Sequence, residues 1–174
     1  RGLMSFFGFP TYGVHCNGWT IEEKKVYLFL AKRSKELITF PGLYDNLIGG
    51  GQPSNISLKD NLLKEGFEEV GLSKSILFNA YFNTFTKYSH TYNGKLNSSV
   101  IATYDLELSK DFFFKGKDGE AEKVGKFEIS EVFSLIKKNQ VKPNCIIPII
   151  NFMLNKMPDF FNKNALLEIE KYLI

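Results

Sequence analysis

Cysteine and histidine are scarce, with two of each in 174 residues. Cys16 and Cys145 have no metal-ligand spacing, and two thiols cannot make a disulfide framework, so zinc scaffolds and small secreted disulfide folds are excluded. A reducing compartment follows, with the cytoplasm as the expected location, or an organelle if a targeting segment precedes residue 1. Net charge is also small. Lys+Arg at 22 against Asp+Glu at 19 leaves +3, spread evenly, which argues against a nucleic-acid groove or an anionic membrane surface. Only Gly2 to Ile21 lacks charge over a bilayer-spanning length. Gly8, Pro10, Gly13, His15, Asn17 and Gly18 interrupt it, so neither a membrane helix nor a signal peptide is expected.

What is present is ordinary globular composition, 44% hydrophobic and 24% charged. One domain over residues 1–174 is expected, and the start at Arg1 rather than Met suggests part of a longer chain. Tyr12 to Asn17 and Val26 to Lys32 read as strands around a charged turn at Glu22 to Lys25. Leu43 to Ile48 is a short apolar run ending in Gly49-Gly50-Gly51, expected as a loop. Ser57 then precedes Leu58 to Val70, with Leu58, Leu62 and Leu63 at helical spacing, Asp60 as a capping partner and Gly71 at the C-cap. Ile76 to Thr86, Ser98 to Leu108 and Val124 to Ile129 read as strands, the first two around a Tyr92-Asn93-Gly94 turn. Ser130 to Lys137, Ile146 to Asn155 and Ala165 to Leu173 read as helices, with Ser130 as a cap and Pro148 blurring the start of the second. Irregularly mixed elements with mainly antiparallel strands point to an α/β sandwich rather than a doubly wound sheet.

Lys64-Glu65-Gly66-Phe67-Glu68-Glu69-Val70-Gly71-Leu72 carries the chemistry. On a helix Glu65, Glu68 and Glu69 share a face about 100° wide. Each like-charged pair at that spacing costs about 0.2–0.5 kcal/mol, and acids in the last turns oppose the helix dipole. A divalent cation reverses both signs. Carboxylate oxygens are hard ligands, which selects Mg²⁺, or Mn²⁺, over zinc, and Mg²⁺ in turn suggests phosphates as its other ligands.

Gly50 lies fifteen residues before Glu65, and Gly71-Leu72 close the helix at twenty-one and twenty-two. This frame resembles the box of the Nudix hydrolase superfamily. Three positions depart from it: Ile56 stands for an early Glu, Lys64 for an Arg and Gly66 for an aliphatic residue. Further segments resemble the thiamine-diphosphate-related Nudix group, which is fused to thiamine pyrophosphokinase in fungi and plastid-targeted in plants. They are Gly13-Val14-His15-Cys16-Asn17-Gly18, Ala31-Lys32-Arg33-Ser34, Pro41 to Asn46, Gln52-Pro53 and Lys142-Pro143-Asn144-Cys145. The resemblance implies a Nudix-type α/β/α sandwich with a mixed, largely antiparallel sheet. It also implies Mg²⁺-dependent hydrolysis of a small-molecule diphosphate, thiamine diphosphate or its oxidised forms, to a monophosphate and phosphate. Neither nucleic acid nor membrane is an expected partner. Two alternatives stand beside it: isomerase chemistry of the isopentenyl diphosphate type, and a catalytically silent binding or regulatory domain.

On that resemblance the expected catalytic carboxylates are Glu65, Glu68, Glu69 and Glu120, the last from a polar loop and equally readable as solvated. All four are expected metal ligands, together with a backbone carbonyl at Gly49. His15 is a core histidine or a pocket residue. Arg33 suits phosphate through its planar fork, and Asp45, with Trp19 and Tyr44, suits a cationic ring. Lys142 and Asn144 fit substrate at a helix N-terminus, where Asn144 is equally a cap. Cys16 and Cys145 are expected as buried thiols, and Phe6, Phe7, Phe9 and Phe112 to Phe114 as core or edge packing.

Overall fold

The computed structural model describes residues 9–92, 95–114 and 121–170. At its centre is a long strand, β1 (Thr11–Glu22), flanked antiparallel by β2 (Lys25–Arg33). Glu23 and Lys24 take positive φ (48° and 65°) to turn the chain between them, as a two-residue hairpin with right-handed strand twist requires. After β3 (Tyr44–Asp45) on β2, the triple glycine forms β4 (Ile48–Gly51). The loop expected at Gly49 to Gly51 is instead a strand, antiparallel to Gly13–Cys16 of β1. Glycine is needed for closeness rather than for a turn: a Cβ on Gly13 would lie 2.9 Å from the Gly50 carbonyl oxygen.

The α1 helix (Leu58–Val70) follows expectation. Ser57 caps its start, accepting from the Asp60 N–H, and Gly71 ends it in the left-handed region at φ 70°. Ile76 to Thr86 is not one strand. Hydrogen bonds back to Ser73 and Lys74 close a short α2 (Lys74–Leu77), and β5 (Tyr81–Tyr92) starts after it. β5 pairs antiparallel with β6 (Lys95–Glu107), which lies parallel to β1, and β7 (Ala121–Glu128) pairs antiparallel with β2. The cap of α3 (Ile129–Lys137) is Glu128, not Ser130, because the Glu131 carboxylate accepts the Glu128 N–H. α4 (Pro143–Lys156) contains Pro148 in its interior, and α5 (Lys163–Glu170) ends the described chain.

Strand alternation divides the core between the two faces of this mixed, largely antiparallel sheet. Val14, Cys16 and Phe29 pack with Leu62, Val70 and Leu77 under α1 and α2. Trp19, Leu28 and Leu30 pack with Val132, Ile149 and Phe152 under α3 and α4. Trp19 is therefore core, against Phe152, and not a wall for a ligand ring. Phe112 meets Phe29 edge-on, whereas Phe9 and Phe113 are exposed, contrary to the packing expected of them. Phe6 and Phe7 lie outside the described residues.

Candidate active site

One stripe of α1, Asn61, Glu65 and Glu69, runs along β4 in step with Gly51, Gly50 and Gly49. Asn61 Nδ2 donates to the Gly51 carbonyl oxygen over 3.2 Å. Glu65 lies across Gly50 so closely that a Cβ there would fall 2.3 Å from its carboxyl carbon. Glu69 Oε2 accepts the Gly49 N–H over 2.9 Å. Successive residues at i, i+4 and i+8 drift slowly around a helix, so three contacts follow one strand only if that strand is bare of side chains. The glycines supply this, and the departure at Gly66 has the same cause. Gly66 is buried, and a Cβ there would lie 2.6 Å from Leu77 and 2.9 Å from Ile48.

Lys64, half exposed, bridges Glu65 at 3.2 Å and Glu68 at 2.8 Å. Side-chain pairing raises its pKa, first through the Glu68 hydrogen bond. The structure brings Glu65 and Glu69 to the strand and leaves Glu68 on the exposed side under Lys64. Glu120 lies outside the described residues. The three glutamates and Lys64 sum to a formal −2, and their oxygens are the hard donors that suit Mg²⁺. By donor chemistry and charge, this face fits a divalent cation.

A second cluster lies across β4. Among the described residues, His15, Asp45 and Cys145 bring ligand-type atoms within 4.8 Å of one another, all buried. Its charge is wrong for a metal. Asp45 is paired with Arg33 at 3.0 Å and Lys142 at 2.8 Å, and Cys145 donates to it over 2.7 Å. Burial alone would raise the Asp45 carboxyl, but the Lys142 ammonium and these hydrogen bonds outweigh it and hold Asp45 well below the usual carboxylate range. Burial opposes the Lys142 charge, and Asp45 more than restores it. The cluster therefore carries surplus positive charge.

Arg33 is committed on three sides. Besides Asp45, its Nε and Nη2 donate to the carbonyls of Phe40 and Thr39. It lines a recess of about 20 Å³ with Asp45, Gly49 and Glu69. A larger cavity of about 170 Å³ opens on the other side of Gly49, lined by His15, the triple glycine, Lys142 and Asn144. Lys142 is the N-cap of α4 and Asn144, not the cap, lies inside the first turn, at an N-terminus that favours anions. His15 Nδ1 meets Asn46 Oδ1 at 2.7 Å, and burial lowers its pKa against the pull of Asp45. Burial, reinforced by Asp45, pushes the Cys145 thiol well up, and burial does the same for Cys16; both are inert core thiols. Tyr44 packs edge-on against Phe127 and carries Lys32 over its ring, away from the cavity lining.

Sequence reasoning missed Asn17, Asn46 and Asp105. Asn46 donates to Asn17 and Asn17 to Asp105 behind the His15 ring, and neutral amides and one acid in an apolar strand carry no spacing signal.

A sheet between two helical layers, with an acid-bearing helix laid along a glycine strand, defines a Nudix-type α/β/α sandwich. The fold agrees with the Nudix domain of Shewanella oneidensis NrtR complexed with ADP ribose, at TM-score 0.66 and 14% identity over 84% of this chain and 88% of that one. No protein-family model matches the chain. In sequence it is 38% identical over 154 residues to Nudix hydrolase 20, chloroplastic, of Arabidopsis thaliana, covering 88% of this chain and 41% of that protein. It is 32% identical to Nudix hydrolase 24, chloroplastic, of the same plant, over 88% of this chain and 42% of that protein. The chain belongs to the Nudix superfamily. It spans less than half the length of the curated relatives it matches.

Proposed function

We propose that the domain is a divalent-metal-dependent pyrophosphohydrolase that cleaves the diphosphate of thiamine diphosphate or its oxidised forms. The observation that carries the hydrolase reading is the contact of Glu65 and Glu69 with the glycine stretch of β4, next to a cavity whose charged lining residue is Lys142. The thiamine assignment rests on the motif resemblance.

In this reading Glu65, Glu68, Glu69 and Glu120, with the Gly49 carbonyl, would hold Mg²⁺ or Mn²⁺. When bound, the ion neutralises diphosphate charge and acidifies a water. The chain's own residues do the rest. A glutamate of α1 accepts the proton of the water that attacks phosphorus. Lys142, with one N–H on Asp45, turns the others toward phosphate oxygens, aided by the α4 N-terminus at Asn144. Asp45 then serves as a positioning residue that fixes Lys142 rather than as a wall for a cationic ring, and Arg33 acts through Asp45 rather than as a direct phosphate contact. Isomerase chemistry of the isopentenyl diphosphate type would need a cysteine open to substrate, and both cysteines are buried.

The test is a phosphate-release screen with Mg²⁺ against thiamine diphosphate, its oxidised analogues, ADP-ribose and dinucleotides. Thiamine-type diphosphates are expected to give the highest kcat/KM. A tenfold preference for ADP-ribose or a dinucleotide, about 1.4 kcal/mol in transition-state binding, rejects the thiamine reading and leaves the hydrolase standing. No turnover of any diphosphate, with the metal bound, leaves the silent binding domain.

A further inference from the structure

The buried amides behind the cavity form a chain with one permitted direction. Asn17 Nδ2 lies 2.8 Å from Asp105 Oδ1 and 3.1 Å from the Pro148 carbonyl oxygen. A backbone carbonyl can only accept, so the Asn17 amide stands with its NH₂ toward those two and its oxygen toward Asn46. Asn46 Nδ2 donates to that oxygen over 2.8 Å. This leaves Asn46 Oδ1 facing His15 Nδ1 at 2.7 Å. An amide oxygen cannot donate, so the proton between them belongs to Nδ1. On the far side Asn155 donates to Asn83 Oδ1 over 2.8 Å, and Asn83 Nδ2 donates to Asp105 Oδ2 over 2.6 Å, so both arms point toward Asp105. Cys145 does not compete: its Sγ is 3.9 Å from Nδ1 and its own proton goes to Asp45.

We propose that Asn17 and Asn46 are positioning residues that lock His15 as its Nδ1–H tautomer, so that Nε2 meets the cavity as a hydrogen-bond acceptor and selects a ligand with an N–H or O–H donor there. Which imidazole nitrogen is protonated follows from the hydrogen bond made by the other. Here that bond is set two residues away, by a carbonyl and a carboxylate that accept. The cavity is thus chemically divided. Lys142 offers donors to anionic oxygens, while His15 offers a lone pair to a neutral donor. A bare diphosphate satisfies the first and not the second; a diphosphate joined to an amino- or hydroxyl-bearing group satisfies both. The ligand part of this inference rests on the diphosphate reading above, whereas the tautomer does not.

The test is nitrogen NMR of histidine-labelled protein at about pH 8, above the ordinary imidazole range. The chain has one other histidine, His90, and His90→Gln leaves a single ring to assign. The expected spectrum has a protonated Nδ1 and an unprotonated Nε2; a protonated Nε2, or rapid averaging between the two, overturns the proposal. Asn46→Leu, close in size and without an acceptor, is expected to release the tautomer, and a ring still locked as Nδ1–H in that variant equally overturns the relay. If Asn46→Leu does not fold, the spectrum of the unaltered chain decides. Thiamine diphosphate, which carries an amino group, should shift Nε2, while inorganic pyrophosphate should not. Equal shifts from both remove the acceptor role. Binding of neither overturns the thiamine reading, and the free protein's spectrum still decides the tautomer.

Discussion

On one side of Gly49, α1 presents Glu65, Glu68 and Glu69, with Lys64 bridging two of them in partly open solvent. On the other, His15, Asn46, Asn17 and Asp105 form a hydrogen-bonded line in which every residue is at most 5% exposed. The first region is governed by like charges that a single lysine and one backbone N–H only partly offset. The second is governed by direction: two amides between a carboxylate and a ring leave one arrangement satisfied, because an unpaired buried donor costs about 1–3 kcal/mol. A partly exposed charged face is thus placed against a buried hydrogen-bonded line. The three glycines of β4 let both approach within a few ångströms of the same backbone.

The largest effect should come from the charged side. Glu68→Gln or Glu69→Gln is expected to lower kcat by about 10²–10⁴, the usual range for losing a group that moves or positions a proton. Thermal unfolding without metal should stay close to the parent, since each change relieves repulsion on that face while weakening one contact, Lys64 with Glu68 or the Gly49 N–H with Glu69. Unaltered turnover in both variants would remove these carboxylates from the mechanism.

The buried side should answer in stability first, and in rate only through the loss of the Asp45 contact that fixes Lys142. Asp45→Asn leaves Lys142 and Arg33 facing each other with no carboxylate between them, and a buried charge stripped of its partner costs about 3–5 kcal/mol. Chemical denaturation checks this; a loss under about 1 kcal/mol would mean that Lys142 reaches solvent.

Between these lies the glycine strand itself. Gly50→Ala puts a methyl into Glu65, whose side chain can swing away, so folding should change little. Turnover should nevertheless fall about 10- to 100-fold, because the carboxylate is displaced by more than an ångström. Gly13→Ala, which meets the Gly50 carbonyl instead, should cost stability as well.

The smallest effect is a pH slope. Burial, against Asp45, holds the His15 imidazole below its ordinary value of 6.5, so below that pH the unfolded chain takes up a proton that the folded one refuses. Stability is therefore present above about pH 6.5 and lost as the pH falls through the lower folded value. His15→Gln should flatten that slope between pH 6.5 and 5.5. Asp45, with its pKa depressed, acts in a separate window, losing its contribution only as the pH falls below about 3.8.

How much of this was legible depended on the range of the signal. Ser57, Asp60 and Gly71 fix both ends of α1 within a few residues of chain, so the helix and its three-glutamate face could be read directly. The triple glycine could be read as special but not as a strand, because its pairing with Gly13–Cys16 joins segments more than thirty residues apart. Ser130 lost the cap to Glu128 because two glutamates supply the reciprocal bond that a lone serine does not.

Arg33 marks the same boundary. Sequence identified a planar fork suited to phosphate; the fold spends it on Asp45 and two carbonyls of its own loop. Local periodicity and spacing are written in neighbouring residues, so sequence alone determined the acidic helix, its caps and the glycine before it. Which dipole faces which is decided only when β1, β3, β6 and α4 meet. Thus the tertiary structure alone set the hydrogen-bonded line from Asp105 to His15, since hydrogen-bond direction belongs to groups brought together from distant parts of the chain.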